Sequence, residues 1–465
     1  MIEVPPQFKQ LADALDAVVT LAKQVTGSSG PTAGVEGLAQ SRAADVERAL
    51  LGIHLRHLDL DAPQVSINGV THTKVGRYPA TFYTSCGAVE VTRTLYREAG
   101  ARNAPTVDLV GLQSGAVRGF WLPDAARHMA WLLQLGTSRE AEATSAELGR
   151  VAYARSSFED VGHAVGSALV ADKVRIEAIL AKERVPPANA HSVSVSVDRV
   201  SLPMEEDVPR PVGRPRKDAP KRNVTRVFRM AYCATVTLHD ATGEAISSVR
   251  RGLMPDDDTS ALGLLLSDNV KQLLAKNPAL KVVLLADGAP EMWNIMESHL
   301  NQAALGVTVT SLLDLFHLLE KLAAAAKVIH GNDDARKVVH RWHMHLLNTW
   351  HAAEEVLAEL QKSNRRYVQV GDGQPVHEAI TYLENHRQRM RYSAAKMNGL
   401  PLGSGNVEAT CKSLVEVRMR RPGARWRPGT GADVMHLRAA ALSGQWARTM
   451  ELLMPPPSSP LAAAA

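Results

Sequence analysis

The spacing of apolar residues divides the chain into helical and strand-forming stretches. Two stretches before residue 58 carry apolar side chains at helical spacing, which predicts two N-terminal helices. Residues 63–97 alternate apolar and polar side chains instead, and we predict a β-hairpin that turns around Cys86 and Gly87. Helical spacing returns over residues 122–170, in short pieces separated by glycine. The first part of the chain is therefore expected to contain N-terminal helices (1–62), a small β module (63–121) and a second helical region (122–185).

The short helical pieces of the region 122–185 are typical of a helix-turn-helix unit. In such units a later helix enters the major groove of DNA. A plain helical bundle fits the same spacing, because no cluster of side chains marks a recognition face. We predict that this region is helix-turn-helix-like and binds DNA.

The next part of the chain begins with strand patterns. The segments SVSVSVDRVSLPM, TRVFRMAYCATVTLHD and AISSVRRGLM predict three consecutive antiparallel strands. A helical pattern follows, and then the continuous apolar run of KVVLLADG, which is typical of a buried parallel strand. A further helix and the short strand GVTVTSLLD complete the order of three strands, helix, strand, helix and strand. This is the order of a ribonuclease H-like core, and the predicted fold class is α/β with such a core.

After this core the spacing of apolar residues is helical almost to the end of the chain. We expect the first part of the ribonuclease H-like core at 190–314, a helical insertion at 315–399 and further helices of the core at 400–450. The final residues, 451–465, end in MPPPSSPLAAAA and have little to pack against. We predict that this tail is disordered.

The positive charge of the chain is concentrated in two short segments. The 465 residues carry a formal net charge of only +5. Residues 209–229 nevertheless hold eight basic residues and one acidic residue, and residues 403–427 hold six basic and two acidic residues. Local basic patches favour a polyanionic partner such as a nucleic acid, although two solvated loops would have the same composition.

The cysteines and the apolar runs bear on the compartment in which the protein works. The three cysteines are far apart and form no CxxC pair, which argues against a disulfide framework and a cysteine zinc finger within the chain. The start of the chain lacks the pattern of an export signal, and no apolar run has the length of a membrane span. We expect a soluble cytoplasmic protein with no membrane partner.

Three acidic residues lie where metal-dependent phosphoryl transfer needs them. Asp198 interrupts the first strand of the predicted core, and Asp287 directly follows the buried strand VVLLA, at the edge where open α/β sheets bind their ligands. Glu408 follows the glycines of GSG at the start of a helix. Carboxylates suit Mg²⁺, and such a set holds two ions for phosphoryl transfer. Each acid also has an ordinary alternative, since Asp287 suits a turn and Glu408 suits the first turn of a helix.

Four motifs around these acids resemble those of one enzyme family. They are SVDRV around Asp198, LLADGAPEMW around Asp287, LDLFH with Asp314 and His317, and LPLGSGNVEATCKSLVEVRMRRPGARW around Glu408. Together they resemble the DDE transposases of bacterial insertion sequences, most closely the ISKra-like group, which is related to Mutator-type transposases. Two features differ from that pattern. The cysteine pair that relatives often carry after the N-terminal hairpin is replaced by LYREAGARNA, and arginine follows the first aspartate where many relatives have glycine.

The resemblance implies a DNA transposase that cleaves insertion-sequence ends and transfers the strands into target DNA. It implies that Asp198, Asp287 and Glu408 are the catalytic and metal-binding residues, with Asp314 and His317 in support. The implied cofactor is a pair of Mg²⁺ ions, with Mn²⁺ as a substitute. The expected partners are element and target DNA and further copies of the chain, at the nucleoid in the cytoplasm. The residues predicted to contact DNA are Arg214, Arg216, Lys217, Lys412, Arg418, Arg420, Arg421, Arg425 and Trp426.

Two other functions are compatible with the same residues. The first is a ribonuclease H-like nuclease that only hydrolyses DNA. The second is a DNA-binding regulator that descends from a transposase and has no catalytic activity.

Overall fold

The computed structural model describes residues 4–26, 32–207, 224–454 and 461–462. The chain forms two compact units, one of Met1–Asp172 with Ala447–Ala465 and one of Lys173–Trp446. The fold is mixed α/β, as the sequence predicts, and in the described part of the chain the strands form two sheets. Three residues predicted to contact DNA, Arg214, Arg216 and Lys217, lie outside the described residues.

The first unit is built on an antiparallel sheet. Side by side, its strands are β10 (Leu461–Ala462), β1 (Gln64–Ile67), β2 (Val70–Thr84), β3 (Gly87–Glu98) and β4 (Val107–Asp108). Thr84 pairs with Gly87, so the hairpin turns at Ser85 and Cys86, one residue earlier than predicted. Phe82 and Val89 pack against Leu55 in one of the apolar clusters of this unit. The alternating pattern therefore reflects a sheet with one buried face.

Helices complete this part of the chain. They are α1 (Lys9–Thr26), α2 (Thr32–His57), α3 (Leu109–Gln113), α4 (Pro123–Leu135), α5 (Ser138–Leu148), α6 (Arg155–Glu183) and α17 (Trp446–Leu453). Thr137 and Glu140 form a capping box that begins α5, and Gly149 ends it in the left-handed conformation (φ 63°). The last of the predicted short pieces belongs to the single long helix α6. A side chain at Gly162 would collide with Leu133, so this glycine allows α6 to pack closely against α4.

Parts of the segment 451–465, predicted as a tail, are among the described residues. Helix α17 continues to Leu453, and backbone pairing joins β10 to β1 between Leu461 and Ile67. The other residues after Met454 lie outside the described part of the chain. Within the described ranges, no helix combines the length and the apolar character that crossing a bilayer requires.

The second unit contains a mixed sheet with the predicted order of strands and helices. Side by side, its strands are β7 (Ala245–Leu253), β6 (Val224–His239), β5 (Ser192–Asp207), β8 (Lys281–Ala286) and β9 (Val309–Leu313). The first three strands are antiparallel to one another, whereas β8 runs parallel to both β5 and β9. The connecting helices are α7 (Thr259–Lys276), α8 (Pro290–His299) and α9 (Gln302–Leu305).

The continuous apolar run of β8 is explained by burial on both faces of the sheet. Val282 and Leu284 belong to the main core of the unit, together with residues of α7 and α8. Val283 and Leu285 point to the other face, where they pack with Leu400. Because both faces of β8 are buried, its side chains are apolar at successive positions and do not alternate with polar ones.

The predicted helical insertion follows β9, and further helices follow the insertion. The insertion contains α10 (Leu315–Asn348), α11 (Ala352–Gln361), α12 (Pro375–His386) and α13 (Tyr392–Met397), and the later helices are α14 (Gly405–Thr410), α15 (Val417–Met419) and α16 (Pro428–Leu442). Gly331 (φ 78°) interrupts α10. Between α14 and α15 the chain forms a π-helical turn, Cys411–Glu416. A π-helical turn inside an α-helix frequently accompanies a functional site.

A buried histidine in α16 makes the stability of this unit depend on pH. His436 is 7% exposed, and burial together with the positive charges of Lys173 and Arg251 lowers its pKa to about 3. The unfolded chain has the ordinary pKa of about 6.5, so between these values it binds a proton that the folded chain excludes. Stability from this group is therefore complete above pH 6.5 and falls as the pH decreases towards 3.

We expect His436→Leu to remove part of the acid sensitivity of the protein. At pH 5 the wild type is expected to lose about 2 kcal/mol through this histidine relative to pH 7.5. Urea denaturation at the two pH values, followed by circular dichroism, measures the difference, and the exposed His351→Leu is the control. An equal pH dependence in wild type and His436→Leu would contradict the assignment.

Candidate active site

The register of the sheet brings Asp198 and Asp287 next to each other. Val195 of β5 pairs with Leu284 of the parallel strand β8, and each aspartate follows its paired residue by three positions. The two carboxylates are close enough that the charge of Asp287 acts on Asp198. Burial, reinforced by that charge, raises the pKa of Asp198 above its ordinary value. Two neighbouring carboxylates of this kind favour a cation beside them.

Local hydrogen bonds orient the two aspartates. One carboxylate oxygen of Asp198 accepts a hydrogen bond from the backbone N–H of Arg199 (2.7 Å), and the side chain of Arg199 forms an ion pair with Glu291 of α8. Asp287 accepts one from the N–H of Ala289 (3.0 Å). Arg199 thus has an acidic partner on α8.

Asp314 holds together the two segments that carry the remaining candidate residues. It caps α10, where its Oδ1 accepts hydrogen bonds from the backbone N–H groups of Phe316 (2.7 Å) and His317 (3.0 Å). Its Oδ2 accepts hydrogen bonds from the backbone N–H and the hydroxyl group of Ser404, just before α14. Burial alone would raise the pKa of Asp314, but its contacts with His317 and Ser404 outweigh burial and lower that pKa to about 2. Asp314 is therefore an ionised residue that joins the start of α10 to the start of α14.

His317 lies between Asp314 and Glu408. Its Nδ1 is 3.5 Å from an oxygen of Asp314 and 3.7 Å from Oε1 of Glu408. The carboxylate of Asp314, followed by the charge of Glu408, raises the pKa of His317 to about 9. The charge of His317 also reaches Asp198. The imidazolium thus interacts electrostatically with Asp198 of the sheet and with Glu408 of α14.

The donor set is suited to a divalent cation. Within the described residues, one ligand atom each from Asp314, His317 and Glu408 lies within 4.8 Å of the others, a set to which Asp198 and Asp287 do not belong. Nδ1 of His317 is buried and has no hydrogen-bond partner among these residues. Both oxygens of Asp314 are already used by hydrogen bonds, whereas Glu408 is 39% exposed. Because its oxygens are used in this way, Asp314 is suited to positioning the starts of α10 and α14, whereas the carboxylate of Glu408 is open to a ligand.

The sequence did not single out three residues that interact with these acids. Cys411, at the start of the π-helical turn, lies with its Sγ 3.5 Å from Oδ2 of Asp198. Burial, followed by the charges of Asp287 and Asp314, raises the pKa of Tyr382 on α12. The ring of Tyr382 lies so close to Gly288 that a side chain at that position would collide with it. Ser404 lies inside the GSG motif, but only its contact with Asp314 reveals its role. None of these interactions could be read from the sequence, because the partners lie far apart along the chain.

The residues predicted to contact DNA divide into accessible and buried side chains. Lys412, Arg420 and Arg425 are exposed, and Arg421 is partly exposed. Arg418 and Trp426 are 5% and 9% exposed, which corrects their prediction as DNA contacts. The guanidinium of Arg418 lies over the indole ring of Trp426 at 5.2 Å, and Nε1 of Trp426 donates to the carbonyl of Met419 (2.8 Å). Both side chains therefore stabilise the turn that follows α15.

No family model and no curated protein matches the sequence. Three chains of known structure match. One of them, titled "Drosophila P element transposase strand transfer complex", is similar with a TM-score of 0.38 and 11% sequence identity, over 69% of this chain and 92% of that chain.

Proposed function

We propose that the chain is a DDE-type DNA transposase with a ribonuclease H-like catalytic core. The observation that carries the proposal is a chain of interactions between acids of three distant segments. The parallel register of β5 and β8 supports the pairing of Asp198 with Asp287, and the contacts of Asp314 with Ser404 and of His317 with Glu408 join the start of α14 to the start of α10. The charge of His317 in turn acts on Asp198. Assignment to the ISKra-like group and assembly as a homo-oligomer at the nucleoid belong to the same proposal.

In this proposal Asp198, Asp287 and Glu408 hold the metal ions. Two Mg²⁺ ions, or Mn²⁺ in their place, supply activation of the attacking oxygen and stabilisation of the leaving oxygen in an in-line displacement. The protein contributes the positions of the carboxylates, and His317 lies 3.7 Å from Oε1 of Glu408, where it orients that side chain. Water hydrolyses a phosphodiester at each element end and leaves a 3′-hydroxyl group there. That hydroxyl group then attacks a phosphodiester of the target DNA, forms the new P–O bond and displaces the 3′-oxygen of the target strand.

The basic residues after α14 supply contacts to the DNA backbone. Lys412, Arg420, Arg421 and Arg425 are accessible and close in sequence to Glu408. The helical region of α4 to α6 and the basic segment around Arg214 are further proposed contacts. Because phosphate contacts release counterions, we expect affinity for DNA to fall steeply with salt and to depend little on sequence at these residues.

We expect the purified chain to cut and join DNA that carries its element ends. Labelled linear DNA containing the sequences on both sides of its reading frame is incubated with the protein, a plasmid target and either Mg²⁺ or Ca²⁺. In Mg²⁺ the expected products are cut ends and plasmid joined to element 3′ ends, identified by electrophoresis and sequencing, whereas Ca²⁺ supports binding alone. The variant Asp372→Asn, at an exposed acid on a loop of the helical insertion, is the control.

The products separate the proposal from its alternatives. Cut DNA without joined products, even from pre-nicked ends, would replace the transposase with a hydrolytic nuclease. Salt-sensitive DNA binding without any cleavage in Mg²⁺ or Mn²⁺ would favour a regulator without catalysis.

A further inference from the structure

An exposed aromatic residue, Phe316, stands between Asp314 and His317 in the sequence. Phe316 is 59% exposed, although its neighbour Asp314 is 1% exposed and His317 is partly buried. Single exposed apolar residues are ordinary on protein surfaces. What distinguishes Phe316 is that its backbone and its ring are both fixed beside the candidate active site.

The position of the ring is set by two contacts. The backbone N–H of Phe316 is bonded to Oδ1 of Asp314 in the first turn of α10. The ring lies against Gly403, where an added Cβ would come within 2.7 Å of Cδ2 and Cε2 of the phenyl group. Gly403 therefore leaves room for the ring to rest on the loop that precedes α14. A residue with a side chain at this position would displace the ring.

The ring also lines a cavity that contains the charged residues of the site. The cavity has a volume of about 560 Å³, and its lining includes Phe316, the apolar segment 400–402 and the charged residues Lys396, Glu408, Glu320 and Glu244. It thus combines an aromatic surface, apolar contacts and polar groups next to a proposed metal ligand. A planar, polar-edged group attached to a phosphodiester matches this combination.

We propose that Phe316 is the stacking surface for an unpaired nucleobase adjacent to the phosphodiester that is cut. This inference rests on the proposed function and names the part of its substrate that the cavity receives. Aromatic side chains stack on nucleobases with little dependence on sequence, and a base reaches such a cavity only when it is unpaired. Trp293 and Trp426, the other aromatic residues of the family-like motifs, are 2% and 9% exposed and present no free ring face.

The test compares oligonucleotides with and without bases. The full chain is titrated in Ca²⁺ with a short oligothymidylate that carries one 2-aminopurine, and with a backbone of the same length made of abasic sites. We expect the wild type to bind the base-containing strand about tenfold more tightly and to quench the 2-aminopurine fluorescence. Phe316→Leu is expected to lose this preference while its affinity for the abasic strand is unchanged, and Phe316→Trp is expected to keep the preference.

Two further variants control the experiment. Trp350→Leu removes another exposed aromatic ring, 58% exposed and outside the lining of the described cavity, and should leave the preference unchanged. Gly403→Ala leaves Phe316 in place but displaces its ring, and should weaken the preference if the position of the ring matters. A preference for bases that persists in Phe316→Leu, or one that the wild type lacks, overturns the inference.

The result is separable from the outcome of the cleavage experiment. Joined products from a wild type that shows no Phe316-dependent preference would overturn the base site and leave the transposase proposal intact. A Phe316-dependent preference in a protein that neither cuts nor joins DNA would support the base site and refute the transposase.

Discussion

Asp198→Asn is expected to reduce DNA cleavage and joining by roughly a thousandfold or more, without lowering the thermal stability of the protein. The substitution keeps the size of the side chain and removes its charge. Burial and the charge of Asp287 already raise the pKa of Asp198, so the ionised carboxylate costs free energy in the metal-free protein. When a functional residue destabilises the folded protein, its replacement should lower activity and leave stability unchanged or higher.

The measurement combines product formation with thermal unfolding. In the wild type, Mn²⁺ is expected to raise the melting temperature, because a ligand that binds the folded state stabilises it. In Asp198→Asn the melting temperature without metal should equal or exceed that of the wild type, and the response to Mn²⁺ should be much smaller. Asp372→Asn serves again as the control.

Two results would contradict this prediction. Cleavage above a tenth of the wild-type rate would remove Asp198 from the catalytic set. A large loss of melting temperature in the absence of metal would indicate that the carboxylate supports the fold instead.

Asp314→Ala is expected to lower the free energy of unfolding by roughly 3 kcal/mol and to reduce cleavage as well. The side chain is 1% exposed and accepts hydrogen bonds from Phe316, His317 and Ser404, so alanine leaves several donors without their partner. The substitution also removes the hydrogen bonds that attach Ser404, and with it the start of α14, to the start of α10. Chemical denaturation and the cleavage reaction measure the two effects.

The matched control for this variant is another helix cap. Asp258 caps α7 and accepts a hydrogen bond from the N–H of Ser260 (2.8 Å), but it is exposed to solvent. Asp258→Ala should cost only about 1 kcal/mol and leave cleavage unchanged. If Asp314→Ala proves no more harmful than Asp258→Ala, the junction between α10 and α14 does not depend on Asp314.

A double-mutant cycle identifies the contact that matters. Asp314→Ala, Ser404→Ala and the double variant should show a coupling energy of about 1 kcal/mol or more, because the hydroxyl of Ser404 lies 2.6 Å from Oδ2 of Asp314. Additive effects would assign the loss in Asp314→Ala to its backbone hydrogen bonds and not to the hydroxyl of Ser404.

The order of helices and strands was predictable because it depends on the spacing of apolar and polar residues within each segment. Alternation identified β5, and the unbroken apolar run identified β8, since these patterns report which faces of a strand are buried. The same patterns placed Asp198 within a strand and Asp287 directly after one. These patterns did not predict that α6 is one long helix or that a π-helical turn follows α14. The spacing of apolar residues is similar whether a helix continues, breaks or widens by a residue.

Burial of charged and aromatic residues was not predictable from their positions. Arg418 and Trp426 belong to a basic segment that suggests a DNA-binding surface, yet they stack on each other at low exposure. Phe316 is an apolar residue between two site residues, yet it is exposed because Gly403 supports one side of its ring and a cavity lies beside it. Exposure depends on the neighbours that folding supplies, and these lie far away along the chain.

The sequence by itself determined the types of elements, their order and the acidic residues placed at strand ends and helix starts, since each depends on a few neighbouring side chains. Only the tertiary structure decided which of these residues meet. The register of β5 against β8 sets Asp198 beside Asp287, and a hydrogen bond across 90 residues joins Ser404 to Asp314. Such contacts arise from the packing of whole elements, which no local pattern encodes.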